Sequence, residues 1–102
     1  MARSRRRFLL VSDDPALLEP LRALCMSASA EPAETGDGLE ARRLTASLWP
    51  DVIFTAGPRP GVEWLRTLPQ GWHEIPPGAG GWQLPEGVRA FSVSGDPPSL
   101  QG

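Results

Sequence analysis

The sequence predicts an α/β domain built on a parallel sheet. Three short apolar runs, Phe8–Val11, Val52–Phe54 and Val88–Val93, read as strands. Apolar residues at helical spacing, with start signals, fill the intervals between the early strands. Strand, helix, strand, helix, strand, helix, strand is the order that right-handed crossovers lay into one sheet. About four strands flanked by helices are expected.

Each element has a local reason. Phe8-Leu9-Leu10-Val11 is continuously apolar, as a central strand buried on both faces requires. Asp14-Pro15 starts a helix, with an acceptor side chain at the cap and proline in the first turn. Leu17, Leu18, Leu21, Leu24 and Cys25 follow as one apolar stripe. Pro20 removes a backbone hydrogen bond and predicts a kink. Ala30 to Thr35 is weakly apolar, and Pro32 restricts it to an edge strand. Gly36-Asp37-Gly38 is a turn. Leu39 to Trp49 is a second amphipathic helix, with Leu39, Ala41, Leu44, Leu48 and Trp49 available to face a sheet. Pro50 ends it, and a strand runs from about Asp51 to Thr55. A loop over Gly57 to Gly61 and a short helix over Val62 to Leu68 follow.

Residues 69–87, PQGWHEIPPGAGGWQLPEG, break this rhythm with four prolines, five glycines and two tryptophans. Gly71-Trp72 and Gly81-Trp82 recur ten residues apart, as a hairpin with an indole on each arm would place them. The organisation read from this is a basic N-terminal arm (1–7), an α/β core (8–68), a Pro/Gly/Trp-rich loop (69–87), and a last strand with tail (88–102).

Composition narrows the function. The 102 residues make one small domain of net charge −2, and all ten basic residues are arginine, so no lysine can act as a catalytic amine or phosphate clamp. Ser4-Arg5-Arg6-Arg7-Phe8-Leu9 is similar to a twin-arginine export signal, but a signal peptide needs about 7–15 apolar residues next. Only four follow before Ser12, Asp13 and Asp14. No window approaches the roughly 18 apolar residues of a membrane span. A cytoplasmic protein without membrane association is expected. Cys25 is the only cysteine, which excludes an intrachain disulfide and a cysteine zinc cluster. It reads as core filler.

Five stretches, in order, resemble the response-regulator receiver domain in a degenerate, shortened form. FLLVSDDPALLEPLRAL is similar to that family's first strand, acidic pair and proline-started helix. GDGLEARRL looks like its second helix entrance, WPDVIFTAG like its third strand, and RPG has its Pro-Gly after that strand. AFSVSGD is similar to its fourth strand, which ends in a small hydroxyl residue. The resemblance implies a flavodoxin-like parallel sheet, truncated before the usual last helix-strand-helix unit.

It also implies a phosphorylation pocket, and the family's positions can be followed onto this chain. The first acidic position is Ser12 and the second Asp13. The phosphate-accepting aspartate falls on Ala56, the hydroxyl that contacts the phosphoryl group is Ser92, and the family's lysine has no counterpart. Magnesium needs several oxygen ligands, and this set supplies too few. The resemblance therefore implies a non-catalytic signalling module, without cofactor or metal, acting through protein–protein contact and not phosphorylated.

Further expectations concern partners. A fourth strand left at an open sheet edge would expose unpaired backbone groups, which favours self-association or a protein partner. Trp72 and Trp82, in a segment with little core to enter, are the interaction candidates. Trp49 and Trp64 are expected in the core. His73 reads as a solvated loop histidine. The alternative function is a nucleic-acid-associated protein using Arg3, Arg5, Arg6 and Arg7, a basic arm without interleaved aromatics.

Overall fold

The computed structural model of the protein describes residues 6–56, 63–76 and 78–96. Strand β1 (Arg6–Val11) leads through helix α1 (Pro15–Ser27) to β2 (Ala30–Thr35). Helix α2 (Gly38–Leu48) then leads to β3 (Val52–Ala56). A 3-10 turn at Glu63–Thr67, strand β4 (His73–Glu74), a second 3-10 turn at Ala79–Gly81 and strand β5 (Val88–Ser92) complete the fold. β1 begins at Arg6, so the last two residues of the arm expected over residues 1–7 belong to the sheet. Arg3 and Arg5 lie outside the described residues, as do the Gly57–Gly61 loop and the tail beyond Asp96.

The sheet has five strands in the order β2-β1-β3-β5-β4. β1 pairs in parallel with β2 and β3, whereas β5 runs antiparallel to both β3 and β4. The expected parallel sheet of about four strands is therefore corrected to a mixed five-stranded one. The physical reason lies in the connection after β3. Returning through the Glu63–Thr67 turn, the chain first delivers His73–Glu74, running in the same sense as β3. It then reverses through residues 75–87 and inserts Val88–Ser92 between β3 and β4. β4 stops early because Pro76 carries no backbone N–H to extend the ladder; Ile75 makes its last bond, N–H to the Ala90 carbonyl at 2.8 Å.

Helix starts follow the sequence closely. The Asp14 carboxylate accepts the Ala16 N–H at 3.0 Å and the Asp37 carboxylate accepts the Leu39 N–H at 3.0 Å. α1 runs through Pro20 without interruption. β2 is an edge strand, as Pro32 requires.

Alternation along the strands divides the core into two faces. Phe8, Leu10, Val52, Phe54 and Ala90 point to the α1 face, and Leu9, Val11, Ile53 and Phe91 to the α2 face. α1 covers the β1–β2 half of its face. The β3–β5 half is filled by Trp82, only 2 % exposed, whose ring lies 5.5 Å from Phe54 and 5.7 Å from Phe8 by centroid. The assignment of Trp82 as an interaction residue is thereby corrected: the Pro/Gly-rich segment does have a core to enter, because no helix occupies that part of the face among the described residues.

Two α2 expectations are corrected as well. Trp49 is 64 % exposed and Leu39 72 %. Trp49 precedes Pro50, which disfavours an α conformation there; it adopts the left-handed region (φ 51°) and turns its indole outward. Leu39, at about 100° per residue, lies on the side of α2 opposite the buried Ala41 and Thr45. No helix among the described residues is long and apolar enough to cross a membrane.

Candidate functional site

In α/β domains the crevice beyond the carboxyl ends of the parallel strands is the usual place for chemistry. Here it is framed by two turns of the same design. After β1, the Ser12 hydroxyl accepts the Asp14 N–H at 3.1 Å; after β2, the Thr35 hydroxyl accepts the Asp37 N–H at 3.2 Å. The Ser12 N–H donates to the Thr35 carbonyl at 2.9 Å and holds the turns side by side. At Gly36 a Cβ would lie 3.4 Å from Asp13 Cα and from the Ser12 carbonyl oxygen, in ordinary van der Waals contact with the neighbouring turn.

Of the four residues expected to form a degenerate phosphorylation pocket, three share this end. Ser12 is buried with its hydroxyl engaged by the backbone, Asp13 is exposed, and Ala56 closes β3 at 2 % exposure. Ser92 does not join them. In the antiparallel register Ala56 pairs with Val88 and Ile53 with Phe91, so Ser92 sits at the amino end of β3. Its hydroxyl donates to the Asp96 carbonyl at 3.0 Å and contributes to the turn that follows β5. Among the described residues no three His, Cys, Asp or Glu side chains are grouped to hold a metal ion.

The opposite end of the sheet is closed by arginines. Arg6 donates from Nη1 to the Ala28 carbonyl at 3.4 Å, and Arg7 from Nη1 to the Leu48 carbonyl at 3.5 Å, so each cation stands at the carboxyl end of one helix. The Arg7 N–H donates to the Asp51 carboxylate at 2.8 Å, and Arg7 Nη2 lies 3.4 Å from the Glu31 carboxylate. Arg6 and Arg7, which the alternative nucleic-acid reading names with Arg3 and Arg5, make these contacts within the domain. From Arg6 onward, the motif that resembles an export signal forms strand β1.

Trp72 and Trp64 are both half-buried and pack against the core cluster of the α2 face. Trp72 thus packs at the margin of the core, less deeply than Trp82. The edge of β5 is partly covered by β4, with Glu74 clasping Arg89 across the pair (Nη2 to Oε1, 2.7 Å) and the Arg89 guanidinium 5.3 Å above the Phe91 ring. The bare edge expected to drive self-association is to that extent satisfied within the chain. His73 is exposed, as expected, but it stands in strand β4 and not in a loop.

What sequence reasoning missed is the outer surface of α2. Leu39, Arg42, Arg43 and Ala46 border a groove of about 670 Å³ against Thr67, Leu68 and Pro69. The helical period held the signal, since Leu39 and Ala46 fall on the face opposite Ala41 and Thr45. Elsewhere, Arg22 reaches from α1 to Glu34 of β2 in a two-pronged pair at 2.5 and 2.7 Å, which holds Glu34 below its ordinary carboxylate range. Cys25 is buried beneath α1, and burial pushes its thiol up to about 11.

No protein-family model, curated protein or solved structure matches the chain.

Proposed function

We propose that the protein is a non-catalytic α/β module, receiver-like in its first three strands, that acts through protein–protein contact and is not phosphorylated at the position its resemblance assigns. The observation that carries this reading is Ala56. It occupies the carboxyl end of β3 at 2 % exposure, where phosphoryl transfer would need a carboxylate nucleophile. Beside it the Ser12 hydroxyl is committed to the Asp14 N–H, and Asp13 is one carboxylate where a hard divalent cation takes several oxygens. The antiparallel course of β5 carries Ser92 to the far end of the sheet, away from any group bound there.

Incubation with a small phosphodonor and magnesium, followed by intact-mass measurement, is the test. No mass increase is expected; a stable phosphoryl adduct on Asp13 or Asp14 would overturn the reading. Light scattering over a concentration series then identifies the partner class. A mass that rises with concentration makes it a second copy, and a constant monomer mass excludes self-association.

A further inference from the structure

We propose that residues 78–87 form a strap that opens as a unit while the sheet stays folded, withdrawing Trp82 and uncovering Phe8 and Phe54. This inference stands apart from the functional reading.

The strap's hydrogen bonds are local. The Gly81 N–H donates to the Gly78 carbonyl at 3.2 Å, the Trp82 N–H to the Ala79 carbonyl at 3.2 Å, and at its end the Val88 N–H to the Pro85 carbonyl at 3.1 Å. Among the described residues, no backbone hydrogen bond joins 78–87 to β1, β3 or α1. Cohesion with the sheet is therefore apolar and rests on one large anchor, Trp82, with Ala79 and Leu84 only half-buried beside it. β1 and β3, in contrast, have ladder partners on both sides.

That anchor is imperfect. The indole N–H of Trp82 is buried with no acceptor among the described residues, so closure forfeits the water it binds when open. Behind the strap, a cleft of about 430 Å³ runs between Gln83–Gly87 and the β5 edge at Val88–Ala90, leaving that flank loosely packed. Hinges stand at both ends. Gly78 and Gly87 hold φ of 78° and 85°, and a Cβ at either would meet nothing within 4 Å. Backbone conformation, not crowding, calls for glycine there, and the same freedom allows rotation. A segment with one apolar anchor, local hydrogen bonds and glycine hinges belongs at the low-stability end of a domain.

The buried indole proton supplies the test, because it meets solvent only when Trp82 leaves the core. Hydrogen exchange of the whole protein by NMR under native conditions gives its protection relative to the exposed Trp49 indole. It also gives amide protection at Leu9 and Phe54, which lie in the paired strands. The Trp82 indole is expected to be less protected than those amides by a factor of about ten or more. In the same window Cys25 should stay unreactive towards a thiol reagent, since α1 remains in place. Protection of the indole within that factor of the Leu9 and Phe54 amides, or Cys25 labelling at the indole's opening rate, would mean that Trp82 emerges only on global unfolding and would overturn the proposal.

Discussion

Ser92 and Ala56 lie at opposite ends of the sheet, because Ala56 pairs with Val88 and β5 then runs back along β3 towards its amino end. At about 3.4 Å per residue the separation along the strand is roughly 13 Å. Ser92 therefore has a local task, donating its hydroxyl to the Asp96 carbonyl. Ser92→Ala is expected to destabilise the domain by about 1 kcal/mol, the loss of one half-buried hydrogen bond. Urea unfolding measures it, and a change below a few tenths of a kcal/mol would show that the bond contributes nothing.

The aromatic trio of Phe8, Phe54 and Trp82 distinguishes two kinds of anchor. Phe54 is fully buried in β3, between β1 and β5. Truncation to alanine removes a large buried side chain from the centre of the sheet and is expected to cost about 3–5 kcal/mol. Trp82 is larger but sits on a segment that can let go. The loss for Trp82→Ala is therefore limited by the free energy of opening the strap and should be smaller than that for Phe54→Ala. Equal or greater loss in Trp82→Ala, from denaturation curves of the two variants, would contradict this ordering.

The contrast also explains how much was legible in the sequence. β1 and β3 could be read because strands buried on both faces are continuously apolar, and the start of α1 could be read because Asp14 caps it through a contact two residues away, whereas Asp37, the cap of α2, reads only as part of a turn. The direction of β5 could not. Val88–Ser92 has the same letters whether it runs with β3 or against it, and the outcome is decided by how residues 57–87 route the chain. The burial of Trp82 was hidden for a related reason: whether a loop finds a core to enter depends on which part of the sheet the helices leave open. At the candidate site, Ser12, Asp13 and Ala56 stand together at the strand ends, and the strand direction takes Ser92 to the other end of the sheet.

Cys25 provides a chemical reading of the α1 face. Burial raises its thiol from an ordinary value of 9.0 to about 11. Native protein at pH 8 should react with a thiol reagent at least about a hundredfold more slowly than urea-unfolded protein. The raised value carries a sign for stability too. The contribution of the neutral thiol is fully present below pH 9.0 and is lost as pH rises from there through about 11. Cys25→Ala should abolish that component of the alkaline loss; an alkaline profile unchanged by the substitution would refute it.

Acid acts on a different pair of groups. Hydrogen bonding from Arg22 holds Glu34 below its ordinary value of 4.5, and hydrogen bonding from Arg89 does the same for Glu74. A carboxyl lowered in the folded state contributes stability above its unfolded value, and that contribution disappears as pH falls through the folded one. Glu34→Gln should thus be less stable than the natural chain at pH 7, with the gap closing below pH 4.5. Glu74→Gln should behave alike, at no more than about 1 kcal/mol because the pair is half exposed and screened. Since Arg22 ties α1 to the edge strand β2, 1 M salt should narrow the Glu34→Gln gap at pH 7 as acid does. Denaturant midpoints across pH and salt check each sign, and a Glu34→Gln deficit that persists undiminished at pH 3 would show that packing, not charge, is what the substitution removes.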